Sequence, residues 1–346
     1  MRPLTWQRLL FQCSILAVIL FVVVVIALRL GAVQISLYGL GRDLISVLLR
    51  QTNQLSSDYA MIVIEIRLPR ILLAIVVGAS LAVAGTSFQA LLRNPLADPY
   101  VLGVSMGAAL GAILALIAEP HLALPVWLAA LFTPLGAFLG AAGAIAAVYF
   151  LGLRDGQIDS GTLLLAGIIS SSFLSAIIMF LLTTLTGRDF RGMAFWLMGN
   201  LSTSYQKSVF WFLGIGFFVA AGAIYTTATD LNLLLAGEKE AMHLGVDVPR
   251  VRLVVYIAAS FLTGLAVSVS GSIAYVGLIV PHVMRLIFGS DHRTLLPTAA
   301  LGGAIAVVFA DTLARTIVAP TELAVGAVTA IVGAPLFIYL LRRRLA

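Results

Sequence analysis

Residues 65 to 111 read EIRLPRILLAIVVGASLAVAGTSFQALLRNPLADPYVLGVSMGAALG, and this stretch decides the fold class. Its middle part, Ile71 to Leu92, carries no charged side chain over 22 residues. A helix rises about 1.5 Å per residue, so this length crosses a bilayer core about 30 Å thick. The following Arg93-Asn94-Pro95 ends the helix, because proline disfavours the helical conformation of the residue before it. The stretch therefore predicts a membrane-spanning helix.

A second helix is predicted directly after the first. Asp98 caps its free amide groups, and Pro99 suits its first turn, where no backbone donor is needed. Gly103, Gly107 and Gly111 follow at four-residue spacing, which places them on one face and lets a neighbouring backbone approach closely. We therefore predict a tightly packed hairpin of two helices, with its tip at one membrane surface.

The composition of the whole chain extends this prediction. Hydrophobic residues make up 61% of the 346 residues and charged residues 10%, against about 25% in soluble domains. The long uncharged stretches, one of which divides at a turn signal in Ser270-Gly271-Ser272, give ten predicted helices. One carries Gly136, Gly140 and Ala144 at close-packing spacing. We predict an all-α polytopic membrane protein with about ten transmembrane helices in a single domain over residues 1–346.

Lysine and arginine residues predict the orientation. With both termini in the cytoplasm, twelve of them lie inside and nine outside, in the direction of the positive-inside rule. Arg67, Arg70 and Arg315 are outer arginines that oppose this rule. Contact with lipid headgroups accounts for them as well as a specific binding role does. The single cysteine, Cys13, excludes a disulfide framework.

Missing residue patterns exclude several function classes. Neither Lys207 nor Lys239 lies in a phosphate-binding loop, so the chain is predicted to have no ATPase site of its own. The four histidines are scattered, and no catalytic residue, metal site, cofactor or nucleic-acid partner is predicted. A self-powered secondary carrier or a channel is the alternative, although the uncharged stretches lack the midplane ionisable group of such a carrier. A membrane scaffold is a third alternative.

Two segments have patterns that the span count does not explain. The fifth helix, from about Gly161, is rich in hydroxyl groups, which either bond to the backbone one turn earlier or border a hydrated path. On the second interpretation Ser171 and Ser175 line the path.

The inner loop over about residues 231–250 is amphipathic, with Glu238 and its neighbours facing water and Gly245 as the helix stop. Its apolar face is predicted to consist of Leu231, Leu234 and Leu235. Either the membrane surface or a partner protein covers that face.

Seven motifs resemble the permease subunits of ATP-binding-cassette importers for iron-siderophores, haem and cobalamin (type II importers). They occur in the family's order: RLPR at 67–70, QALLRNPLADPYVLGVSMGA at 89–108, LLLAG at 163–167, FWLMGNLS at 195–202, LGVDVPRVR at 244–252, GSIAYVGLIVPHVMR at 271–285 and ELAVGAVTAIVGAPLFIYLL at 322–341. The resemblance implies a multi-pass protein of the bacterial inner membrane that moves a large metal chelate into the cytoplasm.

The resemblance also implies partners and residue roles. The partners are two copies of an ATP-binding-cassette ATPase, a periplasmic or lipid-anchored substrate-binding protein, and a second copy of this chain in the bilayer. The implied roles are docking of the binding protein by Arg67, Arg70 and Arg315, coupling to the ATPase by Leu234, Leu235, Glu238, Met242 and Gly245, and a cytoplasmic gate formed by Asn94, Leu96, Ser160 and Gly161. Some relatives have a threonine or serine pair where this chain has Ser160-Gly161-Thr162, so the narrowest residue is not assigned.

Overall fold

The computed structural model describes residues 5–31, 62–154, 157–184, 188–202 and 207–345. Helices dominate these ranges, and the all-α prediction is confirmed. They are α1 (Trp6–Arg29), α2 (Leu68–Leu91), α3 (Val104–Ala118), α4 (Val126–Gly152), α5 (Ser160–Thr184), α6 (Arg188–Leu197), α7 (Lys207–Thr226), α8 (Ala228–Leu234), α9 (Glu238–His243), α10 (Val248–Ser270), α11 (Val276–Phe288), α12 (His292–Thr316) and α13 (Val325–Leu345). Shorter elements are a π-helical segment at Ile62–Arg67, 3-10 turns at Pro99–Leu102 and Glu119–His121, and a β-hairpin of β1 (Leu153–Arg154) and β2 (Gln157–Ile158).

Eight helices within the described ranges are long and apolar enough to cross a membrane. Two further apolar helices, α11 and α13, are shorter. The polytopic architecture is therefore confirmed, while the number ten and the cytoplasmic termini stay predictions. The predicted division of the longest uncharged stretch is also confirmed: α10 ends at Ser270, and Gly271 follows with φ 64° before α11 begins.

The helix α2 lies at the centre of the protein, buried along most of its length against α10, α11 and α12. Paired glycines bring the backbones together. A methyl group on Gly78 would clash with the carbonyl of Gly303 in α12, and one on Gly85 would clash with the carbonyl of Gly277 in α11. Such small-residue contacts hold membrane helices together because lipid tails are as apolar as leucine. These contacts fix the position of α2 relative to α11 and α12, so the residues at its two ends have defined positions at the two membrane faces.

The glycine face of α3 packs on α4 rather than on α2. Gly107 and Gly111 lie against Gly140 and Gly136, so two faces that the sequence predicts separately meet each other. The predicted tight hairpin of α2 and α3 is wrong, because α2 packs on the C-terminal helices and the described residues of the two helices share no extended contact. The two helices therefore connect different layers of the protein.

The connection between α2 and α3 contains a buried turn. Asp98 accepts a hydrogen bond from the Tyr100 backbone amide at 2.9 Å, as the cap prediction requires. The capped element is only one 3-10 turn, because Gly103 has φ 79° and separates it from α3. The Tyr100 hydroxyl donates to the Ile273 carbonyl at 2.9 Å, and its ring packs against both large hydrophobic clusters. This turn thus joins the N-terminal and C-terminal halves.

Candidate functional site

The inner segment that follows α7 folds into two short helices, α8 and α9. α9 ends at His243, just before the predicted stop residue Gly245, which has φ 86°, and the Val246 amide bonds back to the Ala241 carbonyl at 3.0 Å. This is the usual geometry of a helix that glycine terminates. Leu235 is 44% exposed and Met242 is 53% exposed, so both present apolar surface outside the predicted spans.

Two predictions for this segment are wrong. Leu231 and Leu234 are in the core, with Leu234 only 4% exposed, whereas Leu235 points away from them. The break between α8 and α9 turns Leu235 outward, so the three leucines do not share one face. In this conformation Leu234 does not fit direct contact with an outside subunit. Glu238 does not simply face water, because it is paired inside the protein.

The Glu238 carboxylate lies between two arginines. Its Oε1 accepts from Arg252 Nη2 in α10, and Arg93 Nη2 lies 3.1 Å from the same oxygen. We call this arrangement the inner fork: Glu238 with Arg93 and Arg252. Glu238 is 29% exposed and the Arg93 side chain 46% exposed, so water reaches part of the fork. It connects the start of α9 with the turn that follows the end of α2.

A second link ties α8 to the turn between α11 and α12. Asn232 Nδ2 donates to Asp291 Oδ1 at 2.8 Å, and Asn232 Oδ1 accepts from the His292 amide at 2.9 Å. Arg293 Nη2 donates to Asp291 Oδ2 at 2.7 Å, and these bonds lower the pKa of Asp291 to about 2. Asp291 is therefore ionised throughout the physiological pH range. The inner segment is thus attached to the rest of the protein at both of its helices.

The first predicted gate segment, Asn94 to Leu96, directly follows Arg93, which has φ 46°. The Asn94 amide bonds to the Gln89 carbonyl at 3.1 Å, so Arg93 occupies the position where glycine usually ends a helix. A left-handed conformation costs a residue other than glycine about 1–2 kcal/mol. Asn94 Oδ1 accepts from the Leu96 amide at 3.0 Å, which fixes the turn, and the Leu96 side chain is exposed. Neighbouring bonds therefore hold Asn94 and Leu96 in one defined arrangement.

The second predicted gate segment is the start of α5. Asp159 Oδ2 accepts from both the amide and the hydroxyl of Thr162 at 2.7 Å, which caps the helix. Gly161 is exposed, and the Ser160 side chain lies outside the described part of the structure. The gate role of Asn94, Leu96, Ser160 and Gly161 stays a prediction.

The two predicted lining residues, Ser171 and Ser175, are both half-buried on α5. Ser171 lies beside Gly103, because a methyl group on that glycine would be 3.6 Å from Ser171 Oγ. The Ser171 hydroxyl has no hydrogen-bond partner among the described residues. One turn earlier, Gly167 faces the Val101 carbonyl. The turn after α2 thus packs on the helix predicted to border the path, whereas the lining role itself stays a prediction.

At the opposite end of α2, a buried carboxylate lies between two arginines. Asp311 is 1% exposed, and its oxygens accept from Arg70 Nε at 2.8 Å and from Arg315 Nε at 3.0 Å. We call this arrangement the outer fork: Asp311 with Arg70 and Arg315. Arg70 Nη1 also donates to Glu322 at 2.7 Å. Three separate parts of the chain are joined at this point.

The same cluster holds the C-terminal end of α1. Arg67 Nη1 donates to the Leu28 carbonyl at 2.6 Å, and Arg315 Nη2 donates to the Ala27 carbonyl at 3.3 Å. The last carbonyls of a helix lack partners within it and form the negative end of its dipole, so cations stabilise them. Arg67, Arg70 and Arg315 are all buried and serve groups of this chain. Their role in docking a binding protein stays a prediction, and in this conformation none presents its guanidinium group outward.

The sequence pattern singles out Arg67, Arg70, Arg93 and Arg315 but does not show which groups of the chain pair with them. Asp311 was overlooked because it follows a long uncharged stretch. Asn232 and Asp291 were overlooked because each is an ordinary polar residue near a helix end. An aspartate or glutamate near the end of a predicted span is a usable sequence signal for an ion pair, since such a charge needs a partner inside the protein.

Comparisons with known proteins give a consistent result. Residues 19–343 match the FecCD transport family. The chain is 44% identical over 284 residues to the cobalamin import system permease protein BtuC of Halobacterium salinarum, covering 82% of this chain and 74% of that protein. It is 43% identical over 288 residues to the hemin transport system permease protein HmuU of Yersinia pestis, covering 81% and 83%. A solved structure described as an inward-facing metal-chelate type ABC transporter aligns with TM-score 0.80 and 30% identity, over 96% of this chain and 99% of that one.

Proposed function

From its membership of the FecCD transport family, we propose that this chain carries a large metal chelate. The chain is a multi-pass permease subunit of an ATP-binding-cassette importer in the inner membrane. The names of the relatives support this cargo class, because they specify cobalamin in one protein and hemin in another. Similar identities to both leave the choice between cobalamin, haem and a ferric siderophore to experiment. Absorption spectra of the ligand held by the cognate binding protein distinguish these three chelates.

A separate ATPase supplies the energy in this proposal. The supporting observation is the inner segment, which exposes Leu235 and Met242 beyond the predicted spans and is fixed to the protein at both of its helices. An ATPase shifts a permease between two states only if it binds them with different affinity in its ATP-bound form. An exposed apolar segment anchored to the membrane helices is suited to carry that difference. No ATPase site of this chain itself is proposed.

The assembly that we propose contains two copies of this chain, two ATPase subunits and one external binding protein. Its support is the family resemblance together with the exposed apolar surfaces of α5 and α13. Phe173 and Phe180 on α5, and Ile331 on α13, are among the most exposed large hydrophobic residues. Either lipid or a second copy of the chain covers these faces. Cross-linking of the purified complex measures the copy number directly.

The test of the proposed function is copurification in mild detergent of this chain with its ATPase. The double variant Leu235→Asp with Met242→Asp places two charges on the exposed inner surface and should abolish copurification. Leu234 is left unchanged, because a charge at this buried position would unfold the protein. Leu122→Asp is the matched control, since Leu122 is also an exposed leucine but lies beyond the far end of α3.

If the chain is an importer subunit, the wild type and the Leu122→Asp variant should copurify with the ATPase. The double variant Leu235→Asp with Met242→Asp should not. Transport into liposomes should then need both ATP and the ATPase subunit. If the purified chain alone moves a solute across the liposome membrane, the secondary-carrier alternative replaces the importer. If the double variant keeps the ATPase at the wild-type level, the inner segment is not the docking surface.

A further inference from the structure

Glu238 joins two segments that have different predicted roles. It is the first residue of α9, whose exposed Met242 belongs to the proposed ATPase contact. It forms an ion pair with Arg93, which directly precedes Asn94, where the predicted gate begins. Through Arg252 it is also paired to α10, a helix that packs along the central helix α2. One carboxylate therefore lies between the proposed ATPase contact and residues 93–96, which we call the gate loop.

The backbone at Arg93 strengthens this connection. Glycine is the residue that usually occupies a left-handed position at a helix end, yet here the chain has arginine at φ 46°. The side chain that makes this conformation unfavourable is the one that reaches Glu238. A backbone outlier that is held by a specific partner points to a functional constraint.

Movement of Arg93 cannot leave the gate loop unchanged. The Asn94 amide is bonded to the last turn of α2, and the Asn94 side chain is bonded to the Leu96 amide. These short-range bonds make residues 93–96 a compact unit. A displacement of Glu238 relative to α2 therefore either pulls this unit with it or breaks the ion pair with Arg93.

We infer that Glu238 is a positioning residue that transmits movement of α9 to the gate loop through its ion pair with Arg93, while Arg252 holds its carboxylate in place. This inference rests on the proposed function, because it requires an ATPase that moves α9. It goes further by assigning the connection to one ion pair. Simple anchoring of α9 is the competing explanation, and anchoring alone would not need the arginine at position 93.

The experiment uses the complete complex with its ATPase and binding protein in liposomes. The variants are Arg93→Ala, Glu238→Gln and the double variant, with Arg93→Lys as the conservative change. The matched controls are Arg29→Ala and Glu65→Gln, which alter an exposed arginine and an exposed glutamate at the other membrane face. The readouts are the amount of copurified ATPase and the number of chelate molecules imported per ATP hydrolysed.

The expected result is a loss of about fivefold or more in chelate imported per ATP for Arg93→Ala and for Glu238→Gln, with ATPase copurification unchanged. The double variant should be no worse than the more severe single variant, and Arg93→Lys should restore most of the ratio because it keeps the charge. A merely structural role would lower copurification instead.

The inference is overturned if Arg93→Ala imports as much chelate per ATP as Arg29→Ala, or if the two single losses add in the double variant. A wild-type complex that shows no ATP-dependent import would be a failure of a different kind. That result would remove the proposed function itself, independently of the ion pair. The two failures are therefore distinguishable in one set of preparations.

Discussion

The outer fork and the inner fork each consist of one carboxylate between two arginines, but the two carboxylates differ in their exposure to water. Asp311 lies between Arg70 and Arg315 at one end of α2, and Glu238 lies between Arg93 and Arg252 at the inner end. Asp311 is 1% exposed, whereas Glu238 is 29% exposed. Arg315 and the neighbouring Arg67 also bind the end of α1, so the outer fork is connected to further fixed groups.

This difference in exposure determines how much free energy is lost when an ion pair of each fork breaks. Removing one partner of a buried ion pair leaves an uncompensated charge in a medium of low polarity, which is severely destabilising. Breaking a partly exposed pair has little effect on stability, because water replaces the lost partner. The outer fork therefore holds three segments together permanently. The Arg93–Glu238 pair of the inner fork can open and close without unfolding the protein, as a transmission element must, while the buried Arg252 keeps the carboxylate in place.

The largest effect is expected for Asp311→Asn. This change leaves Arg70 and Arg315 buried without their shared carboxylate and should lower the free energy of unfolding by about 3–5 kcal/mol. The measurement is the midpoint of thermal unfolding in detergent. Glu322→Gln is the control, since Glu322 is 46% exposed and its loss should change stability by less than about 1 kcal/mol. Equal midpoints for the wild type and Asp311→Asn would break the comparison.

A smaller loss is expected for Arg315→Gln, and it tests the docking prediction. Asp311 keeps Arg70 in this variant, so destabilisation of about 1.5–3 kcal/mol is expected from the lost charged hydrogen bonds. Unfolding and affinity for the binding protein are measured on the same preparation, with Arg29→Gln as the control. A structural role predicts a lower unfolding midpoint with unchanged affinity of the folded fraction. Weaker binding at an unchanged midpoint would support docking instead.

The smallest change in stability is expected for Arg93→Ala. The Arg93 and Glu238 side chains are both partly exposed, and Glu238 keeps its bond to the buried Arg252, so the free energy of unfolding should fall by about 1 kcal/mol or less. Loss of one ion-pair partner thus has a large effect at Asp311 and a small one at Arg93. Thermal unfolding of both variants side by side measures the contrast. A destabilisation by Arg93→Ala as large as that by Asp311→Asn would make the Arg93–Glu238 pair a second fixed connection.

Local signals predicted much of the helix pattern correctly. The end of α2, the cap at Asp98, the break after Ser270 and the stop at Gly245 each depend on a few neighbouring residues. The hairpin prediction was wrong because glycine spacing shows that a helix face packs closely without showing against which helix. The face on α3 met α4, which carries the matching glycines.

The candidate site was predictable by segment but not by residue. The sequence correctly predicted helical structure in the inner loop, but as one short helix rather than the two observed, with Leu235 on one face with Leu231 and Leu234 and with Glu238 in water. The helix α8 ends at Leu234, and Leu235 follows as its exposed C-terminal cap residue. A pattern of apolar residues does not fix the exact residue at which a helix ends. The partners of Glu238 depend on packing between segments that are distant in sequence.

The sequence by itself determined that this chain is a polytopic helical membrane protein and where most of its helices begin and end, because uncharged length, proline, glycine and capping residues act locally. The tertiary structure decided which helices are neighbours and which charges meet, such as Arg70 and Asp311, which are 241 residues apart. The reason is that lipid and protein are equally apolar inside the bilayer, so hydrophobic pattern does not mark the partner of a helix face. Glycine contacts and buried ion pairs select that partner, and they form only when the whole chain is assembled.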